Sequence, residues 1–136
     1  NYFHHKTGLP KNGNTGSCLK LAPGDKILGE LLGQMQNGLY ISSLHYMNFI
    51  NAKETSLTGL TRDGTFLVEN GKITKVVNNL RFTEKIDRIL KNIVALENRC
   101  DTIPFSDNYG MFSVEASKAP HVLVKDFNIT SSTRTI

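Results

Sequence analysis

Long apolar runs, paired cysteines and blocks of like charge are all missing from this 136-residue chain. No stretch approaches the ~18 apolar residues needed to span a bilayer, and no signal peptide opens the sequence. Only two cysteines are present, Cys18 and Cys100, far apart and in no Cys-x-x-Cys or Cys/His spacing. That excludes a disulfide framework and a zinc knuckle. It fits a reducing, cytoplasmic setting, with a single long-range disulfide left open. Net charge is +4, from 16 basic and 12 acidic residues, without a basic block and without Arg or Lys interleaved with aromatics. We read a solvated basic surface and expect no nucleic-acid partner and no membrane partner. An initiating Met is missing too. The opening Asn1-Tyr-Phe-His-His is neither a leader nor a capped element, so we expect the C-terminal part of a longer protein, or a chain lacking its earlier residues.

What is present is ordinary globular composition, with 39% hydrophobic and 21% charged residues. One domain over residues 1–136 is expected, large enough for one core. Residues 1–17 are rich in Gly, Asn, Thr and Lys and read as an irregular arm. Within them Asn12-Gly13-Asn14-Thr15-Gly16-Ser17 lacks the Lys-Ser/Thr ending of a phosphate loop. Residues 18–21 alternate as a short strand. Asp25 is placed to cap a helix whose stripe is Ile27, Leu28, Leu31, Leu32 and Met35, with Gly38 placed to end it. Gly29 and Gly33 share one face of that helix, which predicts a close backbone approach there.

Residues 39–49 alternate as a long strand, with His45 on the face of Ile41, Met47 and Phe49. Residues 55–60 make a further strand, and Arg62-Asp63-Gly64 reads as a turn. Next come Thr65-Phe66-Leu67-Val68-Glu69 and Lys72-Ile73-Thr74-Lys75-Val76-Val77, joined by Asn70-Gly71. Asn-Gly supplies the two φ > 0 residues of a type I′ turn, so this is a β-hairpin. A second helix is expected over 84–97, capped by Thr83, with Ile86, Ile89, Leu90, Ile93, Val94 and Leu96 buried. Residues 99–108 read as a loop, 111–114 as a short strand and 120–129 as the last strand. The tail at 130–136 is expected to fray. The fold class is α+β: a mainly antiparallel sheet or partial barrel of about six strands carrying two amphipathic helices.

The wording of this hairpin, Phe66-Leu67-Val68-Glu69-Asn70-Gly71-Lys72-Ile73, resembles the C-terminal domain of the TldD/PmbA family of zinc metalloproteases, long described as modulators of DNA gyrase. Asn37-Gly38-Leu39-Tyr40, Leu57-Thr58-Gly59-Leu60-Thr61-Arg62-Asp63-Gly64, Asn79-Leu80-Arg81-Phe82 and residues 120–127 are similar to that family in the same order. The resemblance implies proteolysis or peptide maturation in an assembly of related subunits, one carrying a His-Glu-x-x-x-His zinc motif and one lacking it. It also implies a homo- or heterodimer with a TldD-like subunit, and a peptide substrate. The zinc motif is missing from this chain, since His4-His5 are adjacent and no Glu follows at the required spacing. The chain is therefore most similar to the non-zinc subunit. No catalytic, cofactor-binding or metal residue is assigned, and zinc would belong to the full-length protein or to a partner subunit. A zinc-dependent peptidase with its motif upstream is the enzymatic alternative, and a gyrase- or nucleic-acid-interacting module is the rival outside enzymes.

Three further residues carry chemistry-bearing side chains. Cys100 lies near where catalytic relatives place a zinc-ligating Cys, but Asp101-Thr102 follows in place of Gly, and an inert thiol is the favoured reading. His45 reads as a half-buried histidine bonded to a neighbour, and His121, just after Pro120, as structural. An exposed strand edge could hold an extended peptide by β-addition.

Overall fold

The computed structural model describes residues 19–104 and 116–132. Helix α1 is Leu28–Met35, and strand β1 follows at Gly38–Asn51. Strands β2 (Ser56–Glu69), β3 (Lys72–Val77) and β4 (Leu80–Lys85) come next, then a short helix α2 (Ile86–Lys91). Four pieces follow it: β5 (Ile93–Leu96), β6 (Asp101–Pro104), β7 (Ala116–Ala119) and β8 (Val122–Val124). Strand β9 (Ile129–Ser132) completes the order. The fold is α+β. Its main body is a five-stranded antiparallel sheet in the order β1-β2-β4-β9, with β3 also on β2. Two ribbons, β5-β8 and β6-β7, accompany it, and no barrel closes among the described residues.

The Asn-Gly hairpin forms as its chemistry requires, with φ of 52° at Asn70 and 72° at Gly71. The turn seats on the end of α1. The Gly71 N–H donates to the Gln36 carbonyl at 2.8 Å, and a Cβ on Gly71 would stand 3.0 Å from the Gly33 Cα. The turn backbone thus comes close to Gly33, but a Cβ added at Gly29 or at Gly33 would meet nothing within 4 Å, so the approach requires glycine at neither. The helix starts later than Asp25 suggests, because the Glu30 carboxylate accepts the Ile27 N–H at 2.9 Å and fixes the first turn there. It ends at Gln36, which takes a φ of 60°, and Gly38 opens β1 instead.

Arg62-Asp63-Gly64 is not a turn. It is a bulge inside one continuous strand, with φ of 60° at Asp63 and 127° at Gly64. The register of β1 against β2 shifts there, from Ile41↔Thr65 to Ser43↔Arg62. Two buried hydroxyls hold the distortion. Thr65 donates to the Thr61 Oγ1 at 2.7 Å, and the Leu80 N–H donates to the same oxygen at 2.9 Å, which satisfies a backbone group at the first residue of β4.

The expected helix over 84–97 is also corrected. Thr83 and Glu84 lie in β4, paired with Thr58 and Leu57, and only Ile86–Lys91 is helical. Asn92 ends the helix: its side chain donates to the Lys125 carbonyl, and its own carbonyl accepts the Lys125 N–H, each at 3.1 Å. Ile93, Val94 and Leu96 therefore sit on a strand beside β8. Residues 101–104 form β6 rather than a loop. The final strand divides into β8 and β9 at Lys125 and Asp126, where Asp126 has φ of 56° and the Arg88 guanidinium holds its carbonyl at 2.9 Å. Thr130, Ser131 and Ser132, at the start of the expected frayed tail, belong to β9 beside β4. Of the strand expected at 18–21, the described residues 19–21 make one bridge, Lys20 to Lys118. The arm at 1–17 and the strand expected at 111–114 lie outside the described residues.

The described core is narrow. Leu31, Val68 and Phe82 are the buried apolar side chains, joined by Thr61 and Thr65. Apolar side chains stay exposed at the far end of the β1-β2 hairpin, where Tyr46, Met47, Phe49 and Ile50 are each more than half accessible. No described helix is long and apolar enough to cross a membrane.

Candidate functional site

The described residues enclose a groove of about 1070 Å³. Leu28, Leu31, Leu32 and Met35 of α1 line one wall, the first half of β1 forms its floor, and residues 119–129 form the facing wall. Its position follows from local chemistry. The tight exit from α1 at Gln36 brings β1 back beneath the helix, and pairing of Leu96 with Val122 places the β5-β8 ribbon opposite.

Three polar side chains meet at this groove. Tyr40 is on β1, cross-strand from Phe66, and its ring lies 6.0 Å from that of Phe66 and 5.8 Å from that of His121. Glu97 follows β5 directly, and its N–H donates to the His121 carbonyl at 2.9 Å, which sets the two side chains alongside each other. The His121 Nδ1 lies 2.6 Å from the Glu97 carboxylate, and the His121 Nε2 lies 3.1 Å from the Tyr40 hydroxyl. An ionised carboxylate only accepts, so we assign the ring proton to Nδ1, and in that tautomer Nε2 accepts the Tyr40 O–H. Tyr40 and His121 line the groove, while Glu97 is nearly buried behind them, with 12% of its side chain accessible. The result is a carboxylate-imidazole-phenol chain that joins the main sheet to the β5-β8 ribbon and fixes the phenol's direction.

His121 is therefore structural, and it also orients a polar group in the groove. Sequence reasoning reaches the first of these roles and misses the second, along with Tyr40 and Glu97. The three lie far apart in sequence, and each is an unremarkable member of its own strand or strand end. His45 is corrected: it is exposed beyond the groove's floor, edge-on to Tyr46 at 4.3 Å. Cys100 is a free, partly covered thiol whose sulfur meets the Leu21 carbonyl at 3.5 Å. Cys18, His4 and His5 lie outside the described residues. Among the described residues no three His, Cys, Asp or Glu side chains converge in a way that could hold a metal ion. His121, the histidine at the groove, has both nitrogens engaged. The donor set of the described residues does not fit a zinc centre.

A smaller hollow lies beside α2, lined by Ser56, Thr83, Glu84, Lys85, Arg88 and Asn128. Its polar groups are spent on one another. The Glu84 carboxylate accepts the N–H of Lys85 at 2.9 Å, the N–H of Asn128 at 3.1 Å and the Arg88 guanidinium at 3.1 Å. At its rim Lys85 is held above its ordinary pKa, chiefly by its hydrogen bond to Glu54.

Comparison with known proteins agrees with this architecture. The family model described as "PmbA/TldA metallopeptidase C-terminal domain" matches residues 1–131. No curated protein matches the chain. Among solved structures, TldE from Thermococcus kodakarensis superposes with a TM-score of 0.66 at 14% identity, covering 81% of this chain and 23% of that one. A Thermotoga maritima protein described as a modulator of a DNA gyrase superposes with a TM-score of 0.68 at 24% identity, covering 93% and 28%. The chain thus spans about a quarter of the length of either structure. With the family model matching nearly the whole sequence, the chain belongs to the PmbA/TldD family and represents its C-terminal domain.

Proposed function

We propose that this domain positions an extended peptide within a peptide-processing assembly and leaves the hydrolytic chemistry to residues outside it. The observation that carries the reading is the groove between α1, β1 and β8. Two strands that line it are each paired on one side only among the described residues: β1 is the edge of the main sheet, and β8 pairs only with β5. A strand with free main-chain donors and acceptors offers backbone hydrogen bonds to any extended chain, whatever its sequence, and the apolar walls take alternate side chains. Membership of a metallopeptidase family supports the choice of peptide over other extended ligands.

The assembly is a dimer, with a second copy or with a related subunit that carries the zinc motif. Exposure of Tyr46, Met47, Phe49 and Ile50 near the hairpin tip supports this, since four large apolar side chains left in water along one strand end suit cover by a partner.

Photo-crosslinking tests the peptide role. An acetylated, amidated apolar peptide with a photoreactive side chain, mixed with the full chain, is expected to label residues 39–44 and 122–124, and unlabelled peptide should compete. Saturable labelling confined to the hairpin tip at 46–50 would instead assign the peptide to the interaction patch and remove the groove from the account.

A further inference from the structure

We infer that Tyr40 is the polar anchor of the groove, its oxygen accepting a hydrogen bond from one main-chain N–H of an apolar peptide segment; this rests on the peptide-positioning role proposed above. The direction of that bond follows from the chain behind it. Glu97 holds the His121 Nδ1 at 2.6 Å, so the Nε2 lone pair points to Tyr40, 3.1 Å away. The phenol has one proton, which goes to Nε2, and its remaining capacity is to accept. A ligand group meeting Tyr40 must therefore bring a donor. The rings of Phe66 and His121 flank the Tyr40 ring and keep the oxygen from swinging away.

The surroundings narrow the ligand further. Leu31, Leu32 and Met35 of α1 line the same groove as Tyr40, so the anchor shares it with an apolar wall. A carboxylate or phosphate placed against Tyr40 would find an acceptor facing an acceptor. A peptide N–H with apolar side chains on either side supplies the donor and the apolar surface together. β1, on which Tyr40 sits, is paired on one side only among the described residues, so its other side can align an extended peptide.

The test combines a protein change with a peptide change. Binding of an acetylated, amidated Leu/Val-rich peptide to the full chain is measured by calorimetry for wild type and Tyr40→Phe, and repeated with peptides N-methylated at one position at a time. The expected result is a loss of about 5- to 10-fold in affinity for Tyr40→Phe, the worth of one neutral hydrogen bond. One N-methyl position should cost the wild type a similar factor and cost Tyr40→Phe nothing, the signature of two groups that act on each other. Because the N-methyl series on wild type needs no substitution, a folding defect in Tyr40→Phe cannot imitate the result. Equal binding by wild type and Tyr40→Phe, or N-methyl losses identical in both, would overturn the anchor while leaving the groove as a peptide site. Absence of binding by wild type at any peptide concentration would overturn the peptide role itself.

Discussion

Replacing Phe82 by Ala is expected to cost the domain about 3–5 kcal/mol, the range for emptying a fully buried aromatic site. Phe82 has no accessible surface. It lies on β4, in the middle of the sheet between β2 and β9, and its ring packs 5.2 Å from that of Phe127. The opposite side of the ring is met by Gly59, where an added Cβ would stand 2.7 Å from the ring's tip. This fit explains a glycine in the interior of a strand, where glycine ordinarily weakens pairing. Collapse around the cavity is restricted because both walls are backbone or ring. The described core has few buried apolar side chains, so the loss is a large fraction of a typical domain's 5–15 kcal/mol. Urea denaturation of the full chain should show a lower midpoint with little change in slope. A shift of less than ~1 kcal/mol would mean that the sheet is held mainly from elsewhere.

The second large effect belongs to Glu84. Glu84→Leu is expected to destabilise the fold by about 2–3 kcal/mol, chiefly the cost of leaving two part-buried backbone N–H groups without their acceptor. The carboxylate is 4% exposed, and it joins three parts of the chain: the end of β4, the Arg88 side chain on α2 and the N–H of Asn128 leading into β9. Leucine matches its bulk but leaves two backbone N–H groups and a guanidinium without their acceptor. Arg88→Ala provides the comparison. That side chain is 47% exposed, and its loss leaves Glu84 with both backbone donors, so a smaller cost is expected. Thermal melting of the two variants reads the order directly. Arg88→Ala falling below Glu84→Leu would place the energy in the ion pair rather than in the backbone bonds.

How much of this was legible beforehand depends on whether the determining partner was local. Asn70-Gly71 announced its hairpin because the left-handed φ values of a type I′ turn are a property of those two residues alone. Arg62-Asp63-Gly64 carries equally strong turn chemistry, yet β1 runs past it and the Thr61 and Thr65 hydroxyls close the distortion, so the strand continues. The apolar residues from Ile86 to Leu96 fit a helical stripe well. They were divided by Asn92, whose bonding to Lys125 depends on a residue 33 positions away. Recognition of the family rested on the order of short segments and holds over nearly the whole chain. The groove was not legible. Tyr40 and His121 are 81 positions apart, Glu97 and His121 are 24 apart, and no spacing rule links a phenol on one strand to a carboxylate at the end of another.

The proposed role has the groove between α1, β1 and β8 hold an extended peptide along a strand edge. Amide hydrogen exchange of the full chain, with and without saturating apolar peptide, tests it most directly. Slowed exchange is expected at residues 39–44 and 122–124, with the hairpin tip at 46–50 unchanged. Unaltered exchange in both of those strands while peptide is bound would contradict it.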